Sequence, residues 1–515
     1  MKKLTTYDIL SLLVIGIFLA VILLRFDIYP VFVDIYYHMS VAVSFEKAGG
    51  IVFWDFWEFA PEGRVHLYPP FLHCIMLFLS EFSSDIAVGK FISFVMFPAS
   101  QISVWIFARE IYSRKTAFYS VLVLSSCMEY FRLQAITSAA ALVLVLMPLV
   151  FFAFEKRKYI ASSILLALCL YTHVGMGPIA VGSFLFYGIL CREKMKKAAR
   201  VIAVSLLLYA PWGAHELMNM GNLTANSPPS SGALVVFPWI LGIIGIILCL
   251  RRKKEFLIPV CIFVCMVPIA FSYMGRFTGH VVLPLAVLSG ITLSYVDERL
   301  TGNKRAVFVI GSLLVLSLIA PTVGIQSQQV RGIQPPDRDI VQGGARGSLQ
   351  RGVPGAQQQR GAPQVPVREQ RLIVKMRSLL TSLLFMRSDS YLTADNLKMA
   401  EIIRKNSQDN EIVFIPGGIM GCFVTATTGR PQMFGMWTEV AADYEPDPKA
   451  ASVFVIPREG KMPKGVEKIE ETNRWVVFRS PQKKTVDIPD AIVRKEIVYL
   501  IMIVALLGLI YDCSR

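Results

Sequence analysis

Residues 33–73 read VDIYYHMSVAVSFEKAGGIVFWDFWEFAPEGRVHLYPPFLH. The stretch follows an apolar run at 10–24 and gathers acids, three histidines, tryptophans and tyrosines beside a bilayer. Connections between helices are ordinarily short, because a loop need only turn the chain around. A connector this long and this loaded with reactive side chains points to work done at the membrane surface. For catalysis, Asp34 is the leading candidate.

The rest of the chain says what surrounds it. Of 515 residues, 54% are hydrophobic and 17% charged, with mean hydropathy +0.53. A soluble chain of this length needs more charge to cover its surface, so the composition describes an integral membrane protein. A spanning helix takes roughly 17–25 apolar residues. The pattern predicts about twelve spans, at 8–25, 86–108, 116–131, 138–154, 159–172, 176–191, 201–213, 233–250, 256–272, 280–296, 306–324 and 494–511. No small-residue cleavage site follows the first, which reads as a retained anchor.

Lys and Arg orient these spans. Basic clusters stand at 2–3, 109–115, 156–158, 192–200, 251–254 and 299–305. Each follows an even number of spans if 68–82, YPPFLHCIMLFLSEF, dips into the outer interface instead of crossing. The net charge of +15 is mostly this inside bias, and it argues for no nucleic-acid partner. The expected location is the plasma membrane, multi-pass, with the loaded loop extracytoplasmic. Seven of nine cysteines fall in spans or at their inner ends, and Cys74 and Cys422 alone are expected outside, so no disulfide framework is implied.

Four segments follow. Residues 1–324 form a transmembrane module whose first outer loop is 26–85. Residues 325–370, rich in Gln, Gly, Pro and Arg and without aromatics, predict a disordered linker. Residues 371–492 predict an extracytoplasmic α/β domain, opening with a basic amphipathic stretch at 372–386. It continues with a helix at 394–404 and strands at 411–415, 451–456 and 474–478. Residues 493–515 are a final transmembrane helix. The fold class is mainly α and polytopic, with a small α/β domain outside.

All six histidines, His38, His66, His73, His173, His215 and His280, map to the outer half. Ionisable groups near a membrane are costly unless used or paired. Asp34 stands three residues into an expected polar-aromatic helix, with His38 one turn later on the same face. A carboxylate there can hold a divalent cation such as Mg or Mn, accept a proton from an acceptor hydroxyl, or simply cap the helix. Asp55 and Glu58 in WDFWE are further catalytic candidates, although tryptophan also belongs at interfaces. Arg64, His66 and Tyr68 are substrate-binding candidates that equally can orient the loop. Arg276, in MGRFTGHVVLPLAVLSG, offers a planar, permanently charged fork to a phosphate or snorkels to the interface. Glu216, ending the seventh span, reads as a metal ligand or a solvated acid.

Together these elements resemble the GT-C membrane glycosyltransferases, and among them the single-subunit oligosaccharyltransferases of archaea and bacteria. DIYYH, WDFW, the P-EG element and YPP resemble the first outer loop of the archaeal enzymes. MGRFTGHVVLPLAVLSG resembles the segment whose arginine meets a lipid-linked phosphate. The resemblance implies inverting transfer of a sugar from a polyprenyl-linked donor to a protein, lipid or glycan acceptor. In that scheme Asp34 is base or metal ligand, Glu216 a second ligand, and Arg276 the phosphate grip. Two features depart from it: FRLQAITSAA at 131–140 carries no acidic pair, and no WWD-type motif accompanies Trp437 and Trp475. The competing readings are a non-enzymatic transporter or flippase of lipid-linked glycans, and a scaffold whose outer domain binds a partner.

Overall fold

The basic clusters that orient the chain also bolt its helices together. At the start of α1 (Thr6–Leu24), Asp8 is buried and accepts from Thr5 N at 3.0 Å and from Arg109 Nε at 2.7 Å, with Arg114 at 3.3 Å. A second buried acid, Asp297, takes Tyr7 Oη at 2.6 Å, Lys115 at 2.8 Å and Arg305 at 3.3 Å. These pairs join α1 to α4 (Asp85–Ile111), α5 (Arg114–Ser126), α13 (Met274–Arg299) and α14 (Gly302–Leu318) at one end.

The computed structural model describes residues 4–31, 33–223, 233–252, 254–272, 274–318, 321–327, 370–376, 382–383, 390–437, 440, 446–460 and 464–514. Between α1 and α4 lie α2 (Asp34–Ala48), β1 (Gly50–Ile51), β2 (Trp54–Asp55), β3 (Arg64–Val65) and α3 (Phe71–Ser80). The bundle continues with α6 (Met128–Ala135), α7 (Ala139–Glu155), α8 (Tyr159–Leu170), α9 (Met176–Leu190), α10 (Arg192–Met218), α11 (Val236–Leu250) and α12 (Ile258–Ser272). Among the described residues five helical segments are long and apolar enough to cross a membrane, at Thr6–Leu24, Asp85–Ile111, Arg192–Met218, Lys254–Ser272 and Phe277–Arg299. A sixth appears if α6 and α7, bent by 111°, count as one. The remaining predicted spans fall on helices that do not meet that test. At ten residues, α3 rises only about 15 Å, half the hydrocarbon thickness, and crosses nothing alone.

The expected span at 306–324 ends at Leu318, and from Pro321 the chain is β5 (Pro321–Ser327), between β4 (Ala233–Val235) and β6 (Gln370–Met376). Proline lacks the amide a helix interior requires, and the β-branched residues that follow suit a strand. The amphipathic stretch expected from 372 therefore begins as strand. Apart from the strand ends, the expected linker lies outside the described residues.

Near the C-terminus, α15 (Ala394–Lys405) and α16 (Gly418–Thr428) accompany a sheet of order β7-β8-β10-β9. Its strands are Val413–Phe414, Val453–Pro457, Trp475–Arg479 and, for β9, Glu467–Glu471. Only the β7–β8 pair is parallel. The charged sequence EKIEE hides β9 from a hydrophobic-pattern reading, yet charge is what an exposed edge strand uses against unwanted pairing. Then β11 (Val493–Arg494) pairs with β1, and α17 (Lys495–Ser514) follows. At that pairing a Cβ on Gly50, φ +152°, would sit 2.1 Å from Val493 O, so only glycine fits.

One hydrophobic core unites the first loop with the C-terminal sheet. Tyr36, Phe45, Trp57 and Leu72 share it with Met420, Phe423, Val455 and Val477. Asp297→Ala should destabilise the protein by an amount at or below the low end of the roughly 3–5 kcal/mol that breaking a buried pair costs, since Lys115 and Arg305 keep some water contact. Glu193→Gln, which breaks a half-exposed pair with Lys254, should leave melting in detergent unchanged.

Candidate functional site

The site region is the end of the bundle opposite those basic pairs. There α1 hands the chain to α2, and α2 is buried along its length from Ile35 to Phe45. The polar-aromatic helix expected here is therefore enclosed, packed on α3, α4 and α16. Asp34 is its first residue and is half-buried. A carboxylate in a helix's first turn is favoured by the backbone dipole, which helps keep it charged.

His38, one turn on, bonds not to Asp34 but to His73: Nδ1 and Nε2 are 2.9 Å apart, and both rings are buried. One nitrogen donates and the other accepts, so the pair is neutral. Burial, and next the nearby His173, push His38 down to about 3. Burial first, then His38 and His66, hold His73 well below the usual histidine range. Tyr68 packs into this group, 4.6 Å from the Trp437 ring and within 6.0 Å of His173. His215 stacks on Phe53 at 3.8 Å and donates through Nε2 to His66 O at 2.8 Å. Five of the six histidines thus join one aromatic assembly between loop, α9, α10 and the C-terminal region.

Asp55, Glu58, Arg64 and His66 form a second, charged group. Arg64 Nε donates to Asp55 at 3.1 Å and Nη2 to Glu58 at 2.7 Å, while Nη1 donates to Trp437 O and Val440 O at 2.5 and 3.0 Å. His66 Nδ1 meets Asp55 at 2.5 Å, and Cys422 donates its thiol proton to Glu58 at 3.1 Å. All are at most 2% exposed. Gly63, φ +69°, makes the hairpin possible, since a Cβ there would meet Asp55 O at 2.6 Å. Burial raises the Glu58 carboxyl while Arg64 pulls it back down. These side chains bond to one another and, through Trp437 O, Val440 O and Cys422, tie the loop to the C-terminal region.

Glu216 stands on α10, with Tyr209 Oη at 2.5 Å and Trp212 Nε1 at 3.2 Å donating to its two oxygens. Among the described residues no three His, Cys, Asp or Glu side chains converge on a metal-sized position. Both Glu216 oxygens already accept hydrogen bonds. Arg276 lies in the first turn of α13, and its side chain lies outside the described residues. That turn abuts α6: a Cβ on Gly279 would come 3.1 Å from Glu129 O.

Glu129 is the acid that the sequence reading missed. It is half-buried, and its Oε2 has no hydrogen-bond partner among the described residues. Its signal in the sequence is an acid at the edge of the otherwise apolar span 116–131, just before FRLQAITSAA. Ala139, beyond the bend, packs in the same core as α2. Asp34, Glu129 and the Arg276 turn thus occupy one end of the molecule.

No protein-family model matches the chain, and no curated protein matches it in sequence. Solved structures do. The apo oligosaccharyltransferase of Archaeoglobus fulgidus superposes with TM-score 0.56 at 10% identity, over 84% of this chain and 65% of its own. ArnT from Cupriavidus metallidurans in the apo state gives TM-score 0.58 at 14% identity, over 92% and 99%. The same ArnT bound to undecaprenyl phosphate gives 0.56 at 13%. This is the GT-C glycosyltransferase fold. The chain spans about two thirds of the archaeal enzyme's length, but matches ArnT nearly end to end.

Two predictions follow from the site's electrostatics. Arg64→Leu leaves two carboxylates buried without their counter-ion and should cost about 3–5 kcal/mol, read as a lower melting temperature and faster proteolysis between loop and C-terminal region. Free histidine titrates near 6.5 and folded His38 near 3, so the unfolded chain binds the proton first as pH falls. Stability should be full above pH 6.5 and decline toward pH 3, by roughly 1.4 kcal/mol per pH unit for each such histidine. Melting curves of the His38→Asn, His73→Gln double variant should show a shallower decline.

Proposed function

We propose that the protein is a membrane glycosyltransferase that moves a sugar or oligosaccharide from a polyprenyl-phosphate or -diphosphate carrier to an acceptor on the extracytoplasmic face of the plasma membrane. The observation that carries this reading is the nearly full-length match to ArnT, one structure of which holds undecaprenyl phosphate. The archaeal oligosaccharyltransferase extends it, one structure being a complex with an inhibitory peptide and a dolichol-phosphate.

Asp34 is the proposed base. It takes the proton of an acceptor hydroxyl or amide as that atom bonds to the sugar's anomeric carbon, and the bond from that carbon to the phosphate oxygen breaks with its electron pair on the phosphate. The proposed role of Arg276 is to hold that phosphate as negative charge builds on it. Glu129, close to the Arg276 turn, is the proposed second acid of the site. No step is routed through a cation, because both Glu216 oxygens are already engaged.

The test is incubation of the bilayer-reconstituted protein with labelled polyprenyl-linked sugars and candidate protein, lipid and glycan acceptors. The proposal expects label on an acceptor, with Asp34→Asn lowering the rate about 10²-fold or more at an unchanged melting temperature. A fully active Asp34→Asn protein would remove the base assignment. Movement of labelled lipid between leaflets with no transfer would favour a flippase.

A further inference from the structure

On the outer flank of the bundle, far along the chain from the first loop, α8 and α10 enclose a groove of about 550 Å³. Both helices start at the end that carries the basic loops, so they run side by side in the same direction. Their close approach is fixed by small residues: Ser205 Oγ donates to Ser163 O at 2.9 Å at the groove floor. Ile164, Val204 and Leu208 make its walls, and Val204 and Leu208 are 45% and 46% exposed. The surface inside is almost entirely apolar. Of the five spanning segments α10 is the least buried, as a helix facing lipid would be.

At the basic end, the mouth is Tyr159, Lys197 and Arg200. Lys197 Nζ stands over the Tyr159 ring, 5.5 Å from its centre. Neither Lys197 nor Arg200 joins an ion pair among the described residues, whereas Lys156 and Lys194 on neighbouring turns are paired with Glu110 and Glu155. Asp512 of α17 already accepts from Ala161 N at 2.9 Å and closes the start of α8, and Glu193, one turn before Lys197 on α10, is paired with Lys254. The mouth therefore carries two cations, and both of these acids are engaged elsewhere.

Length completes the match. From Lys197 to Leu208 is eleven residues, about 16 Å of helix, against roughly 15 Å for one leaflet's share of the hydrocarbon. A cationic mouth at headgroup height above a chain-length apolar groove is complementary to one kind of molecule. We infer that this groove is a binding site for an anionic phospholipid of the leaflet on the basic side, with Lys197 and Arg200 on its phosphate and one acyl chain along Ile164, Val204 and Leu208. The site is independent of the transferase reading and lies at the other end of the bundle from Asp34.

The experiment reconstitutes the full chain in nanodiscs of phosphatidylcholine carrying a minor fraction of phosphatidylglycerol, then counts lipids retained after mild delipidation by native mass spectrometry. Wild type should retain phosphatidylglycerol over phosphatidylcholine by roughly ten- to thirtyfold, the size expected of two cations near a membrane surface. Lys197→Ala with Arg200→Ala should bring that ratio close to one. Val204→Trp, which fills the groove and keeps both charges, should also abolish retention. No preference in wild type, a preference that survives loss of both cations, or one that survives the tryptophan would each overturn the site, the last by reducing it to surface charge.

Discussion

A guanidinium buried between two carboxylates ties the first loop of this protein to its far end. Arg64 neutralises Asp55 and Glu58 and also caps the carbonyls of Trp437 and Val440. Taking three charges out of water is costly, and the cost is offset only when every donor and acceptor is met. Here five donor sites and four carboxylate oxygens are nearly all engaged by one another, His66, Cys422 and backbone. The arrangement tolerates only one docking of the loop, and α2 with Asp34 at its head is carried along.

The two ends of the bundle treat charge differently. At the basic end, acids such as Asp8 and Asp297 are buried within helix packing and surrounded by Arg and Lys from several helices. At the other end the buried Arg64 group is matched internally, burial holds His38 and His73 neutral, and Asp34 and Glu129 are half-buried. Neutral imidazoles allow a dense aromatic wall around the loop without importing charge that would compete for a carboxylate or a phosphate.

Much of this was legible in the sequence. The apolar runs mark the helices, and the length and content of 33–73 mark where chemistry concentrates. Asp34 and the Arg276 turn were found at one end because spans and basic clusters fix direction. The roles inside the loop were not legible. The mutual engagement of Asp55, Glu58 and Arg64 was hidden in the sequence because it is completed by Trp437 and Val440, which lie more than 370 residues away. Glu129 was hidden because its place beside the first turns of α13, where a Cβ on Gly279 would meet its carbonyl, depends on packing between segments 150 residues apart. The edge strand β9 and the strands flanking 328–369 escaped because charge and short β-branched runs do not announce pairing partners.

The central claim is that this docked loop presents Asp34 to a lipid-linked phosphate held by the turn containing Arg276. A cryo-electron microscopy map of the protein in a nanodisc with undecaprenyl phosphate tests it most directly. The account predicts phosphate density between the head of α2 and the first turn of α13, with the Arg276 guanidinium in contact. Phosphate density seated elsewhere, with α2 and α13 unoccupied, would contradict it.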